Sequence, residues 1–262
     1  MDFRPTLIFI IVVSYVFSSP TYSQENDYTL TSESTYAIKS FRKAKKYLLD
    51  IYNDNKQTFY CACEFNAKKK INSMNCGYTA RKDAKRGSRL EWEHVVPASR
   101  FGRPLQCWQQ PEQFERCVRK NGKVMSGRKC CRRVNTTFRT MEADMMNLVP
   151  SVGELNGDRR NYKFGTVKGE KRIYGACDFE INRKKRMVEP NVNIRGDVAR
   201  IYFYMQKKYG MKLSRDEISQ YSKWAKNDPA NDWELKKNQR VNGLLQALEQ
   251  EQLQKRRFVV DE

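Results

Sequence analysis

Eight cysteines, at positions 61, 63, 76, 107, 117, 130, 131 and 177, constrain this chain more than any other feature. None form a C-x-x-C knuckle, and the one histidine in 262 residues cannot complete a Cys/His zinc set. Disulfides, up to four, are the simpler reading. Eight cysteines allow on the order of a hundred connectivities, so the pairing stays open at this point. Disulfides require an oxidising compartment. Residues 1–23 fit that requirement: Arg4 precedes an apolar run from Leu7 to Phe17, and the small residues Thr21 and Ser23 stand ahead of Gln24. The run is shorter than the ~20 residues that span a bilayer, so it reads as a signal peptide, with an uncleaved membrane anchor as the alternative. The mature chain is expected to be exported, soluble and free of membrane segments.

Lys and Arg outnumber Asp and Glu by 50 to 30, a net charge of +20. An exported protein this basic meets polyanions: nucleic acid, anionic lipid or acidic polysaccharide. The only histidine, His94, follows Glu93 in L-E-W-E-H-V-V-P-A-S-R-F-G at 90–102. Imidazole is the side chain that exchanges a proton near neutral pH, and here there is one candidate for that work. Paired-imidazole catalysis and multi-histidine metal sites are excluded by count. On a strand, Glu93 and His94 point to opposite faces, so the two cannot serve one metal as neighbours without a bend.

Along the chain, Ile38, Phe41, Ala44, Leu48 and Ile51 recur at helical spacing and predict a helix over about 35–52. Thr58–Phe65 reads as a short strand or an ordered loop held by Cys61 and Cys63. Basic runs at 68–70 and 81–89 precede the strand that carries His94. Residues 103–134 form a long connection with four cysteines. Met141, Met145, Leu148, Val152 and Leu155 follow helical spacing, with a break at Pro150. Strand-like pieces lie around Ile173–Phe179. Asp197 is placed to cap a helix with the stripe Val198, Ile201, Tyr202, Met205 and Tyr209, and Ser214 with Glu217 forms a capping box. A last helix spans about 234–256. The expected fold class is α+β in a single, mostly helical domain over 24–243, followed by a charged helical tail at 244–262.

The octapeptide E-W-E-H-V-V-P-A at 91–98 resembles the signature of the bacterial endonuclease I family, exported nonspecific nucleases with a ββα-metal core. The likeness extends in order through F-Y-C-A-C-E at 59–64, C-G-Y at 76–78, Q-C-W at 106–108, G-R-K at 127–129 and M-E-A-D at 141–144. It continues in N-L-V-P-S-V-G-E-L-N-G-D-R at 147–159, R-G-D-V-A-R-I-Y-F-Y-M at 195–205 and Trp233-Glu234. The resemblance implies that His94 is the general base. It implies that Glu93 and Asn156 hold a catalytic Mg²⁺, for which Mn²⁺ can substitute. Arg128 then matches the arginine on the scissile or product phosphate, and Glu142 a supporting acid near the site. The implied activity is cleavage of DNA and RNA by a monomer, without sequence preference, leaving 5′-phosphate and 3′-hydroxyl ends.

Three features depart from that pattern. Met146 stands where relatives carry His, Leu235 replaces a cysteine after Trp233-Glu234, and the C-terminal residues are rich in Leu, Gln and Glu. Cys117 and the Cys130-Cys131 pair are additional, so Cys117 is expected to pair with Cys130 or Cys131 and staple the loop carrying Arg128. Met146 and the altered tail motivate one alternative, an inactive nucleic-acid or polyanion binder on the same scaffold. Another is an exported basic protein acting on membranes or hosts, which explains neither the lone histidine nor its context.

Overall fold

Helix α1 (Phe41–Ile51) starts where its cap is: the Ser40 hydroxyl accepts the Lys43 N–H, and Ala44, Leu48 and Ile51 are buried. In this computed structural model residues 36–169 and 171–260 are described. The expected signal peptide at 1–23 lies outside them. After α1 a turn follows, with Gln57 bridged to Glu64, and then two short paired strands, β1 (Glu64–Phe65) and β2 (Ile71–Asn72). Helix α2 (Ala84–Gly87) leads into β3 (Leu90–His94). Beyond Pro97 come α3 (Ala98–Gly102), α4 (Gln106–Gln109), two 3-10 turns, α5 (Gly127–Val134) and α6 (Thr136–Glu142). Strand β4 (Leu148–Val152) passes directly into α7 (Gly153–Arg159). A small sheet of β5 (Lys163–Phe164), β6 (Phe179–Asn182) and β7 (Met187–Pro190) precedes three helices. These are α8 (Arg195–Tyr209), α9 (Arg215–Asn227) and α10 (Asp232–Val260).

The architecture is α+β and mostly helical, and its centre is a β–β–α unit. Strands β3 and β4 pair antiparallel from Leu90↔Val152 to His94↔Leu148, and α7 continues from β4 without a loop. The alternation of β3 divides the interior. Leu90 and Trp92 face a cluster formed with Ala44, Leu48 and Ile51 of α1 and Val241 of α10. The opposite face, with Glu91 and Glu93, turns toward α7. A larger cluster joins Val95, Val96, Phe101, Phe138 and Leu155 to Tyr202, Met205 and Tyr221. Four disulfides tie the loops down: Cys61–Cys177, Cys63–Cys76, Cys107–Cys131 and Cys117–Cys130. The last satisfies the expected staple.

Several expectations are corrected. Leu148–Val152, read as helical, is a strand. Pro150 cannot donate within a helix, and β-branched Val149 and Val152 favour the pleat. Pro150 is tolerated because its sheet has two strands: its carbonyl points outward and accepts the Phe59 N–H at 2.7 Å, so its missing donor lies on the free edge. The strand near Ile173 lies further on, starting at Phe179. Asp197 does not cap α8: Ile194 is the cap residue and Asp197 sits in the first turn. Residues 103–134 are no open loop but two short helices, two 3-10 turns and two disulfides.

The Ser214/Glu217 capping box forms with both of its hydrogen bonds. Helix α10 runs unbroken past residue 243, and Leu244, Leu245 and Leu248 pack against the α1 cluster. No helix among the described residues is long and apolar enough to cross a membrane.

Candidate active site

The site lies where β3 ends. The main chain bends at Val95-Val96, and Asn147 pins the bend from one side: its Oδ1 accepts the Val96 N–H at 2.7 Å and its Nδ2 donates to the Val96 carbonyl at 3.0 Å. Arg159, from the end of α7, pins it from the other. Its guanidinium is buried and donates to the His94 carbonyl at 2.8 Å, the Val95 carbonyl at 2.5 Å and Glu93 Oε1 at 2.8 Å. One arginine therefore holds both the turn and the acid that precedes it.

His94 points to the α1/α6 side. Its ring lies 4.9 Å from that of Phe41, and its Nε2 is 2.9 Å from the main-chain oxygen of Glu142. A carbonyl only accepts, so Nε2 carries the hydrogen and Nδ1 carries the lone pair. Burial, with the positive charge of Arg128 beside it, pushes the imidazole down to about 4, so it is neutral at physiological pH. Burial also pushes Glu93 up to about 7, although Arg159 pulls the other way.

Arg128 sits at the start of α5, stapled by Cys117–Cys130 and Cys107–Cys131. Gly127 seats that turn against Trp108: a Cβ there would lie 2.3 Å from the Trp108 carbonyl oxygen. Arg128 Nε donates to Glu142 Oε1 at 2.8 Å, which leaves its Nη groups for another acceptor. Glu142 is buried, and Arg132 holds it as well, through Nε at 2.7 Å and Nη2 at 2.5 Å. Burial raises the Glu142 carboxyl, but the bonds from Arg132 and Arg128 outweigh it and hold the group below its ordinary value.

On the other face Asn156 of α7 donates from Nδ2 to Glu91 Oε2 at 3.0 Å. Glu91 is also gripped by Arg86 at 2.7 Å and Arg89 at 2.9 Å; burial opposes its charge, and the two arginines prevail and hold its carboxyl low.

Glu93, His94, Arg128 and Asn156 line one cleft of about 710 Å³, together with Lys45, Lys69, Arg86 and Arg160. Glu142 does not line it and stands behind Arg128. Among the described residues no three His, Cys, Asp or Glu side chains cluster as a complete metal cage. The donors present, one buried carboxylate and one amide whose nitrogen is already engaged, are hard oxygens. They fit a cation that keeps water and takes phosphate oxygens, as Mg²⁺ does, better than one needing a full protein cage.

The sequence model for endonuclease I matches residues 14–247. The chain belongs to the endonuclease I family. An extracellular deoxyribonuclease of Aeromonas hydrophila is 40% identical over 211 residues, covering 79% of this chain and 85% of the relative. A periplasmic deoxyribonuclease of the same organism is 39% identical over 210 residues, covering 79% and 82%. An endonuclease-1 of Buchnera aphidicola is 36% identical over 207 residues, covering 78% and 76%. Within this endonuclease I chain, sequence reasoning missed Arg159, Glu91 and Arg86. The available signals were spacings: Arg159 follows Asn156 by one helical turn, and Glu91 shares a strand face with Glu93.

Proposed function

We propose that this protein is an exported, Mg²⁺-dependent endonuclease that hydrolyses DNA and RNA without sequence preference, leaving 5′-phosphate and 3′-hydroxyl ends. The observation that carries the reading is the bond from His94 Nε2 to the Glu142 carbonyl, which leaves Nδ1 free as a base in a cleft lined by cations. The deoxyribonucleases among its relatives support it, as do four disulfides for export to an oxidising compartment.

His94 Nδ1 takes a proton from water as the water oxygen attacks phosphorus, the bond from phosphorus to O3′ breaks, and O3′ takes a proton from solvent water to become the 3′-hydroxyl. The imidazolium so formed donates from Nε2 to the Glu142 carbonyl, which keeps the ring from turning. Arg128 binds a non-bridging phosphate oxygen through its Nη groups, held in place by Glu142. Glu93 and Asn156 Oδ1 are the residues that would hold Mg²⁺, which supplies positive charge to the developing phosphorane and the leaving oxygen. Lys45, Lys69 and Arg160 line the same cleft and contact neighbouring phosphates, a mode of binding that reads no bases.

The test is to incubate the oxidised protein with supercoiled plasmid and with RNA, in Mg²⁺ or in EDTA, and to label the product ends. Cleavage in Mg²⁺ alone, with 5′-phosphate ends, is expected. DNA binding without cleavage would replace this reading with that of an inactive binder.

A further inference from the structure

We infer that Glu91 is a positioning residue that turns the Asn156 amide so that its oxygen, and not its nitrogen, faces the cleft. The inference rests on the metal-holding role proposed for Asn156.

An amide side chain can present either end to a cation, and only the oxygen is useful. What selects the end here is Glu91. A carboxylate offers only acceptors, so the atom of Asn156 that lies 3.0 Å from Glu91 Oε2 must be the NH₂ group. Oδ1 is then the end of the amide turned away from Glu91, and Asn156 lines one cleft with Glu91, Glu93 and His94.

Glu91 is itself fixed. Arg86 grips it with two parallel bonds, Nε to Oε1 at 3.0 Å and Nη2 to Oε2 at 2.7 Å, and Arg89 adds bonds to Oε1 at 3.1 and 2.9 Å. Both oxygens are thus occupied by nitrogen donors, and two guanidinium cations stand against them. That makes Glu91 a poor metal ligand in its own right and a good anchor for a neighbouring amide. Gly157 completes the arrangement: a Cβ at that position would fall 2.1 Å from Arg86 Nη1, so the absence of a side chain admits the arginine to α7. Asn156-Gly157, a pair that favours turns, serves here inside a helix to seat a ligand and its anchor.

Because the proposal concerns which atom faces the cation, reversing the pair tests it. Mn²⁺ is titrated calorimetrically into the full oxidised chain, its E91Q variant and the double variant E91Q/N156D, with thermal melts alongside. In E91Q the amide of residue 91 no longer dictates the orientation of Asn156, and Mn²⁺ affinity is expected to fall by about tenfold, the lower end for a group that orients a ligand. In E91Q/N156D hydrogen bonding between the two positions is retained with its polarity reversed, and both ends of the aspartate are oxygens. Affinity is expected to recover by about tenfold.

E91Q binding Mn²⁺ as tightly as the unaltered chain overturns the inference, and so does a double variant that binds no better than E91Q. The double variant decides alone if E91Q does not fold: Mn²⁺ binding at least as tight as in the unaltered chain supports the inference, and weaker binding overturns it. An unaltered chain that binds no Mn²⁺ overturns the metal reading, and the inference with it.

Discussion

The main-chain oxygen of Glu142 lies 2.9 Å from Nε2 of His94, while the carboxylate of the same residue holds Arg128 Nε at 2.8 Å. One residue at the end of α6 therefore sets both the tautomer of His94 and the place of Arg128. Neither role requires Glu142 to enter the cleft. Its side chain could be changed without moving the carbonyl that His94 uses, so the two roles are separable by experiment.

Arg159→Met is expected to be strongly destabilising. It leaves the Glu93 carboxylate and the His94 and Val95 carbonyls without their buried donor. Removing one partner of a buried ion pair costs about 3–5 kcal/mol. For a chain of this size that corresponds to a drop of roughly 6–20 °C in Tm. Calorimetric melts of the two proteins check it, and a change within about 2 °C, the least expected for 1 kcal/mol, would refute it.

Two disulfides with the same sequence separation of 13 give a controlled comparison. Removing either Cys63–Cys76 or Cys117–Cys130 by paired serine substitution is expected to cost about 3 kcal/mol by the chain-entropy argument. Only the second loosens the helix that carries Arg128. KM for DNA should rise in C117S/C130S and stay near the parent value in C63S/C76S. Equal KM values would show that the staple does not serve Arg128.

Four cations of the cleft, Lys45, Lys69, Arg128 and Arg160, are expected to contact phosphates. At a logarithmic salt slope of about 0.9 per contact, affinity for duplex DNA should fall roughly hundredfold between 50 and 200 mM salt. Fluorescence anisotropy in EDTA with the His94→Ala variant, which removes the proposed base, measures this without cleavage. A flat response would mean that phosphate contacts do not dominate binding.

Burial raises the Asp197 carboxyl to about 7, and nearby Glu234 and Asp228 add to the effect, while Arg200 and Lys237 oppose it. Between about pH 4 and 7 the folded protein thus keeps a proton that the unfolded chain has lost. The stability this group contributes is complete below its unfolded pKa and declines as pH rises through that window. In denaturant melts, Asp197→Asn should flatten the dependence of unfolding free energy on pH between 4 and 7, by a slope of at most about 1.4 kcal/mol per pH unit. Parallel slopes for the two proteins would contradict it.

The parts of the site that were legible in the sequence are those set by local rules. Strand alternation places Glu93 and His94 on opposite faces, and the bend at Val95-Val96 lets both reach one cleft. Capping chemistry marked the start of α9 correctly and misled at α8, where Asp197 sits half-buried in the first turn instead. Strand β4 was hidden because Met145, Leu148, Val152 and Leu155 imitate a helical period. The strand is decided by its partner β3, more than fifty residues earlier in the chain. Arg159 was hidden for a similar reason: one arginine in a basic chain looks like a solvated charge until α7 packs it behind Glu93. Adjacent Cys130 and Cys131 likewise reach different partners because helix geometry turns their side chains apart.

We propose that His94 acts as the base through Nδ1. The most direct measurement is the rate of nicking of supercoiled plasmid in Mg²⁺ by the parent protein and by His94→Ala, each first shown to melt cooperatively and to bind DNA. General-base catalysis is worth about 10²–10⁴ in rate, so the variant should bind DNA and nick at least roughly a hundredfold more slowly. A folded variant that nicks within a few-fold of the parent would contradict the account.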